Sequence, residues 1–536
     1  MIRPQRFLES IHTQIVISAF VGFVSGVYRV IRKQVNTFVY LFGGADVIND
    51  AYIKAEGKPF EILTPGRRHQ MVSSPMHLEE INRAPVDVLS LHAVAKDFLQ
   101  PKYTMHGFEW NDVRGVEGTG FVRALRTILT SHLPKLLPSL QERIANHIHR
   151  ELMNHESSSG SYELSIYDMS KRLVAKTNSF VFFGHELTED SDFFEAAYSF
   201  PHESALAAEA FRLLPNPLAR NHWAARSFHD RLHREIERRL SLRSIGNGQS
   251  SNDGLQWLIE TSPKKNPWSI QRLVGEVMGI WYGSVHTLSI AVTFALLDLY
   301  SHKEYIEPLR KELDNTKLDA LKGTPGEMPL LDSFLKESAR LSAFESTGVR
   351  RQALKEFTFS DGLHLRRGDW VCVPHRSLMR DENNFPDALS FHGFRFVGTQ
   401  HNKDSSNEQD HSSAGIPAKG SFLTDSSDSL IWGLGRIVWS VHVPSSLSWT
   451  ILRNGSAEAG SCHPAAQIRL RALTNKRREI VSMAVIGDTK TKHKAACAAE
   501  RQQHQYAGSG VLDHLGGPLS FLRGEANFAI VSLYRS

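Results

Sequence analysis

The chain is poor in cysteine and lacks a strong excess of either charge. Its three cysteines, Cys372, Cys462 and Cys497, have spacings that fit neither a disulfide framework nor a metal-binding motif. So few cysteines indicate a reducing compartment. The formal net charge of +5 is small for 536 residues, so the composition gives no case for a nucleic-acid partner.

We also predict neither a cleavable signal sequence nor internal repeats. The apolar stretch Ile15–Tyr28 is followed by basic residues, and no small-residue cleavage site comes after it. Its 14 residues fall short of the roughly 20 that span a bilayer. We interpret residues 1–34 as a single N-terminal membrane anchor, with an amphipathic surface helix as the alternative. Basic residues on both flanks leave its orientation open.

What remains is an ordinary globular composition, with 41% hydrophobic and 22% charged residues. Helical, strand and loop patterns follow one another from residue 59. In chain order, we predict strands and turns over Pro59–Val88, a helix over Phe121–Ile144, a polar linker over Ser244–Gly254, a helix over Leu330–Leu341, a small antiparallel sheet over Arg351–Pro374 and a disordered-looking insert over Gly398–Lys419.

The longest apolar segment is Leu273–Leu299. Its 27 residues would form a helix about 40 Å long. The segment is apolar on nearly every side, which is typical of a helix buried in a large core. Its few polar residues, Ser284, His286 and Thr287, follow a glycine-containing turn, and such a weakened, polar mid-helix indicates a ligand site. A second membrane span and a core helix with satisfied polar groups are the alternatives.

Two charged residues follow on the next predicted helix. Glu337 and Arg340 are three residues apart, so their side chains share one helix face and can pair. An isolated Glu-x-x-Arg is usually a solvated ion pair of little energetic consequence. Further along, the chain carries an aromatic run, Phe391–Phe396, and then Trp432-Gly433-Leu434-Gly435-Arg436. It is the order of these parts that carries information.

That order, over about residues 59–436, resembles the membrane-anchored fungal cytochrome P450 monooxygenases. The resemblance implies a mainly α-helical fold with small β-sheets, incomplete or disordered towards the C-terminus. It makes Thr287 the threonine that helps deliver protons during oxygen activation. His286 stands where the family usually has an acidic residue, and a histidine also relays protons near neutral pH. The alternative for Thr287 is a hydroxyl bonded to a carbonyl one turn back.

The same resemblance assigns a structural triad. Glu337 and Arg340 match the family's Glu-x-x-Arg, and Arg395 matches the arginine that completes it. Two guanidinium groups around one carboxylate satisfy each other where an unpaired buried charge would cost several kcal/mol. The implied role is to hold the haem-bearing loop, so Glu337 is not expected to act as a catalytic acid.

The resemblance also marks the start of that loop. Trp432, Gly433 and Gly435 would allow the tight turn beneath the porphyrin, and Arg436 would pair with a propionate. Arg126 is implied as a second propionate partner from an earlier helix. Arg114, in Trp-x-x-x-Arg, is the rival for that role.

The family pattern breaks immediately after Arg436. The family places the iron-ligating cysteine three residues later, where this chain has Trp439. An indole nitrogen is a donor only and cannot take the place of a thiolate, so we expect no metal ligand here. We hypothesise a change of reading frame or a mis-joined exon just after Arg436, which leaves residues 438–536 as a divergent, poorly folded tail. An uninterrupted transcript encoding Trp439, without another isoform, would remove that hypothesis.

The function implied by the resemblance is a haem-thiolate monooxygenase of fungal secondary metabolism that oxidises an apolar small molecule. Electrons would come from NADPH through a cytochrome reductase on the endoplasmic reticulum membrane, with a cytosolic domain over residues 50–437. Without the cysteine we expect the polypeptide as written to be inactive. The alternatives are a non-catalytic, membrane-tethered remnant that binds haem weakly or not at all, and a binding protein that keeps the substrate cavity.

Overall fold

The computed structural model describes most of the chain between residues 40 and 397. The described residues are 40, 43–64, 67–106, 120, 124, 130–154, 165–213, 226–245, 251–315, 328–343, 345–397 and 430. The predicted anchor (residues 1–34), Arg114, Arg126, the Trp432–Arg436 loop, Trp439, the insert over Gly398–Lys419 and the tail (residues 438–536) lie outside them.

Helices dominate the described residues. In chain order they are a helical stretch over residues 43–55, α1 (Pro75–Arg83), α2 (Leu91–Leu99), α3 (Pro101–Thr104), α4 (Thr130–Asn154), α5 (Ile166–Glu189), α6 (Ser191–Leu213), α7 (Arg226–Ser244), α8 (Gly254–Thr261), α9 (Ile270–Ser301), a 3-10 turn (Lys303–Tyr305), α10 (Ile306–Asn315), α11 (Pro329–Leu341) and α12 (His375–Met379). The helices predicted over Leu273–Leu299 and Leu330–Leu341 are thus present as α9 and α11.

Two small sheets complete the described fold. Their strands are β1 (Phe60–Thr64), β2 (Arg67–Met71), β3 (Leu89–Ser90), β4 (Gly348–Ala353), β5 (Phe357–Thr358), β6 (His364–Leu365) and β7 (Trp370–Val373). Five form a sheet in the order β1-β2-β7-β4-β3, antiparallel except where β2 runs parallel to β7. The antiparallel pairs β4–β7 and β5–β6 match the small sheet predicted over Arg351–Pro374.

The expectation of strands and turns throughout Pro59–Val88 was wrong in its second half, where α1 lies. The hydroxyl of Ser74 accepts a hydrogen bond from the backbone N–H of His77, and Pro75 occupies the first helical turn. Both features favour a helix start. Leu78 and Ile81, three residues apart, are buried, so one apolar face packs the helix onto the core.

Helix α9 runs through the centre of the protein. Ser269 caps its N-terminus by accepting from the backbone N–H of Arg272, and Trp281 is completely buried. Among the described residues, α9 is the single helix long and apolar enough to cross a membrane, and 61% of its most apolar window is buried inside the protein. Packing on all sides explains why the sequence is apolar all round.

Helices α5 and α6 hold α9 by polar contacts as well as by apolar packing. The side-chain amide of Asn178, on α5, donates to the carbonyl of Ser284 at 2.6 Å. The indole N–H of Trp281 donates to the carbonyl of Ala197, on α6, at 2.7 Å. Both bonds are buried, so α9 is fixed in register beside the turn that carries His286 and Thr287.

A buried charge cluster joins α7 to α8. The guanidinium of Arg239 donates to Glu235 at 2.7 Å and to both carboxylate oxygens of Asp253, at 2.6 and 2.9 Å. Asp253 also caps α8 by accepting from the backbone N–H of Gln256. Gly184 lies against this carboxylate with φ +81°, and a β-carbon there would come within 2.8 Å of it. A larger residue at position 184 would therefore be strained both by the positive φ and by its contact with Asp253.

The start of α11 depends on another helix. Met328, the residue before α11, supplies no capping hydrogen bond. Instead the carboxylate of Glu312, on α10, accepts from the backbone N–H groups of Leu330 and Leu331 at 2.7 and 2.9 Å. A carboxylate at a helix N-terminus satisfies orphan donors and interacts favourably with the helix dipole. This contact fixes the helix on which Glu337 lies.

Candidate active site

The Glu337 carboxylate is fully buried and contacts two guanidinium groups. Arg340 donates from Nε and Nη2 at 2.7 and 2.9 Å. Arg395 donates from Nε to both carboxylate oxygens at 3.1 Å. The backbone N–H of His392 adds a fourth donor at 2.9 Å. The structure therefore brings together the three residues of the triad named from the sequence.

The same two arginines bind the backbone of the segment after α12. Arg340 Nη1 donates to the carbonyls of Met379 and Ala388, both at 2.7 Å. Arg395 Nη2 donates to the carbonyls of Asp387 and Ser390, both at 3.2 Å. Arg340 thus satisfies the buried carbonyls of Met379 and Ala388, whereas Arg395 binds carbonyls of exposed residues. The cluster fastens the chain between Met379 and Arg395 to α11.

Aromatic packing reinforces this attachment. Phe391 packs edge-on against Phe334 of α11, with ring centroids 5.3 Å apart, and Phe394 packs edge-on against Tyr305 at 4.8 Å. A β-carbon at Gly393 would lie 2.8 Å from the Tyr305 ring. The glycine of the Phe391–Phe396 run is therefore required by close approach to these rings.

On α9, Thr287 differs from its hydroxyl-bearing neighbours. Ser284, Ser289 and Thr293 each donate to the carbonyl four residues earlier, at 2.6 to 2.7 Å. Half-buried Thr287 makes no side-chain hydrogen bond to any residue that the structure describes. The alternative of a hydroxyl bonded to the carbonyl one turn back therefore finds no support among the described contacts.

His286 is buried on the side of α9 that faces α5 and α6. Burial, with smaller contributions from the positive charges of Lys171 and His202, lowers the pKa of His286 to about 3. The imidazole is therefore neutral at physiological pH. It can accept a proton on one nitrogen while releasing one from the other, but it does not hold a stored charge as an acidic residue would.

A further carboxyl group links α9 to α11. Asp298, near the end of α9, accepts a hydrogen bond from the hydroxyl of Ser338 at 2.6 Å. Burial, followed by the negative charge of Glu337, raises the pKa of Asp298 to about 7. The sequence did not single out this residue, because its neighbour on α11 is 40 positions away.

The buried arginine Arg351 was also missed. Arg351, on β4, is 2% exposed, and its Nη1 donates to the carbonyl of Arg350 at 2.8 Å. Within the described chain its Nε has no partner and no carboxylate pairs with it. Burial lowers its pKa to about 10. A buried guanidinium without a counter-charge indicates an anionic ligand, and two consecutive arginines inside a strand were the available sequence signal.

The described cysteine does not resemble a metal ligand. Cys372 is completely buried on β7, beside Trp370 and Met71, and burial raises the pKa of its thiol to about 12. A thiol held protonated inside a sheet is a packing residue. No group of three or more histidine, cysteine, aspartate or glutamate side chains that could hold a metal ion occurs among the described residues.

Comparisons with known proteins point to one family. The family model described as cytochrome P450 matches residues 118–414. Cytochrome P450 monooxygenase janQ of Penicillium janthinellum is 26% identical over 65% of this chain and 72% of janQ. Cytochrome P450 monooxygenase 71 of Postia placenta is 27% identical over 71% of this chain and 77% of that protein.

Solved structures show the same fold. The haem domain of cytochrome P450DA gives a TM-score of 0.56 at 17% identity, over 78% of this chain and 87% of that one. Cyanobacterial CYP120A1 with retinoic acid bound gives 0.54 at 18% identity, over 76% and 85%. The predicted fold class, mainly α with small β-sheets, is confirmed. The predicted incomplete C-terminal part lies outside the described residues.

The contact of Asp298 predicts a pH-dependent stability. Its folded-state pKa of about 7 exceeds the ordinary value of 3.8, so the folded state binds this proton more tightly than the unfolded state does. The free energy of unfolding should therefore fall as pH rises from about 4 to about 7. We expect Asp298→Asn to remove that slope, a change on the order of 2 to 4 kcal/mol, in urea unfolding at a series of pH values.

Asp192→Asn provides the control, because Asp192 is a 73% exposed carboxylate that pairs with Arg231. Its replacement should leave the pH slope unchanged. An Asp298→Asn protein with the slope of the unmodified chain would contradict the assignment.

Proposed function

The chain belongs to the cytochrome P450 family, and on this basis we propose that it derives from an enzyme that oxidises an apolar small molecule in fungal secondary metabolism. The family gives it a haem-iron cofactor, a monooxygenase type of reaction and a reductase that supplies electrons. The apolar substrate and its pathway are our proposal, supported by the apolar core around α9 and by the relatives' fungal sources.

The observation that carries the proposal is the Glu337–Arg340–Arg395 cluster, together with a Thr287 hydroxyl on buried α9 that has no hydrogen-bond partner among the described residues. We assign the cluster a structural role, because every donor it offers is used on Glu337 or on backbone carbonyls. We assign Thr287 Oγ1 and the His286 imidazole the holding and passing of a proton. Neither Glu337 nor Arg340 of α11 is therefore assigned acid–base work.

The residues present fit one side of a haem. Arg351 is a buried cation that no carboxylate of the described residues pairs with, and the propionate carboxylates of haem are the anions that this family would bring to it. Arg436 and Arg126 are the further propionate partners that we propose from the sequence, with Trp432, Gly433 and Gly435 shaping the loop. Haem, when bound, supplies the oxygen chemistry in this family.

The residues do not fit the iron-ligating side of a haem. Trp439 stands where the iron-ligating cysteine is expected, and the described thiol, Cys372, is protonated inside a sheet. A donor-only indole offers iron no lone pair. We therefore propose that the polypeptide as written is inactive as a monooxygenase. The alternative class is a remnant that binds haem weakly or not at all.

We further propose the organisation of the whole chain: an anchor over residues 1–34, a haem domain over 50–437 and a divergent tail over 438–536. The anchor would hold the protein on the endoplasmic reticulum membrane with its domain in the cytosol. An NADPH-cytochrome reductase on the same membrane is the proposed partner. The apolar Ile15–Tyr28 stretch with basic flanks supports the anchor.

Carbon monoxide difference spectroscopy tests the inactivity. The reduced full chain should not give the Soret maximum characteristic of thiolate ligation, because no thiolate is in place. The appearance of that maximum from this polypeptide would contradict the proposal. Complete absence of haem uptake would identify the remnant instead.

A matched pair of variants tests the propionate side in the same haem titration. Arg351→Met should weaken haem binding by about tenfold, the loss of one charge-assisted hydrogen bond. It should also stabilise the haem-free protein, because it removes a buried unpaired charge. Arg367→Met, at an exposed position, should change neither quantity. A destabilised haem-free Arg351→Met protein with unchanged haem affinity would show a purely structural arginine.

A further inference from the structure

An apolar cavity lies beside the first half of α9. The space between its wall atoms totals about 320 Å³, a figure that includes solvent-filled space on its open side. Three helices and Ala124, which lies outside them, supply the described part of its walls. Its main lining side chains are Phe182 of α5, Leu255, Trp257 and Leu258 of α8, and Val277 and Ile280 of α9.

The chemistry of this lining excludes most ligands. Five of these six side chains are hydrocarbon, and the single polar hydrogen, on the indole of Trp257, is donated to Asn252 at 3.1 Å. Water needs two to four polar partners to remain in a cavity, so an apolar lining of this kind favours a small apolar molecule over water. No lining group would bind a charged or strongly polar ligand.

The position of the cavity points towards the reaction site. Ile280 precedes Thr287 by seven residues, which is two helical turns and about 10 Å along α9. Residues seven apart lie on nearly the same face of a helix. The cavity and the Thr287 hydroxyl therefore share one face of the same buried helix.

We propose that this cavity is a docking site for dioxygen, the small apolar gas that a monooxygenase consumes. The inference rests on the proposed function for the choice of gas and on the lining residues for the site. Dioxygen makes no demand for hydrogen bonds and leaves water for apolar surroundings, as other apolar solutes do. A water molecule or a segment of the organic substrate are the other occupants that the test distinguishes.

Dissolved dioxygen is paramagnetic, so it speeds the relaxation of the methyl groups that it approaches. We would label leucine, valine and isoleucine methyl groups in the full chain and compare spectra under nitrogen and under oxygen pressure. The enhancement at Leu255, Leu258 and Ile280 should be at least about threefold that at Leu288 and Val292, which are equally buried in another part of the core.

Val277→Phe, which fills the cavity, should abolish the enhancement at Leu255 and Ile280. Val292→Phe adds the same bulk to α9 away from the cavity, so the enhancement should persist. Leu258→Phe is the second filling variant, should Val277→Phe fail to fold. Uniform enhancement over all buried methyl groups, or enhancement unaffected by filling, would overturn the proposal. Detection of water in the cavity would also overturn the proposal. So would an apolar organic probe that occupies the cavity while dioxygen has no effect on its methyl groups.

The measurement requires neither bound haem nor turnover. An inactive polypeptide can therefore show the oxygen site, and an active one can lack it. The proposal of a dioxygen site and the proposal of an inactive monooxygenase can therefore fail independently of each other.

Discussion

One fully buried carboxylate, Glu337, determines how the C-terminal half of the described chain is assembled. Burying a charge without partners costs several kcal/mol, and removing one partner from a buried cluster typically costs 3 to 5 kcal/mol. Glu337 is tolerated because Arg340 and Arg395 both reach it. Those arginines reach it only when the backbone between Met379 and Arg395 follows its observed path, since their remaining donors bind its carbonyls.

The contacts that hold the described fold together are distinct from the residue that would ligate the haem iron. The fold requires α9, the Glu312 cap on α11 and the charge cluster, and each is present with its partners. None of these contacts involves a thiol. These contacts are therefore independent of position 439, where we propose that Trp439 stands in place of the family's iron-ligating cysteine.

Local patterns predicted the parts of the structure that depend on neighbours in sequence. Apolar residues all round a long segment predicted buried α9, and a spacing of three predicted the Glu337–Arg340 pair. The role of Arg395, 58 positions beyond Glu337, came from resemblance to a family.

The misses have physical causes. Helix α1 was missed because its stripe of apolar residues is short and because its start depends on a side-chain cap. Asp298 and Arg351 were missed because their burial is set by elements distant in sequence, which spacing does not reveal.

The free energy of unfolding of Glu337→Gln, measured in urea at neutral pH, tests this account most directly. The account predicts a loss of about 3 to 5 kcal/mol, because two guanidinium groups would remain buried without a charge. Glu307→Gln removes a carboxylate that is 69% exposed and pairs with Arg310, and it should cost less than about 1 kcal/mol. Equal, small losses in the two variants would contradict the claim that the Glu337 cluster holds the fold together.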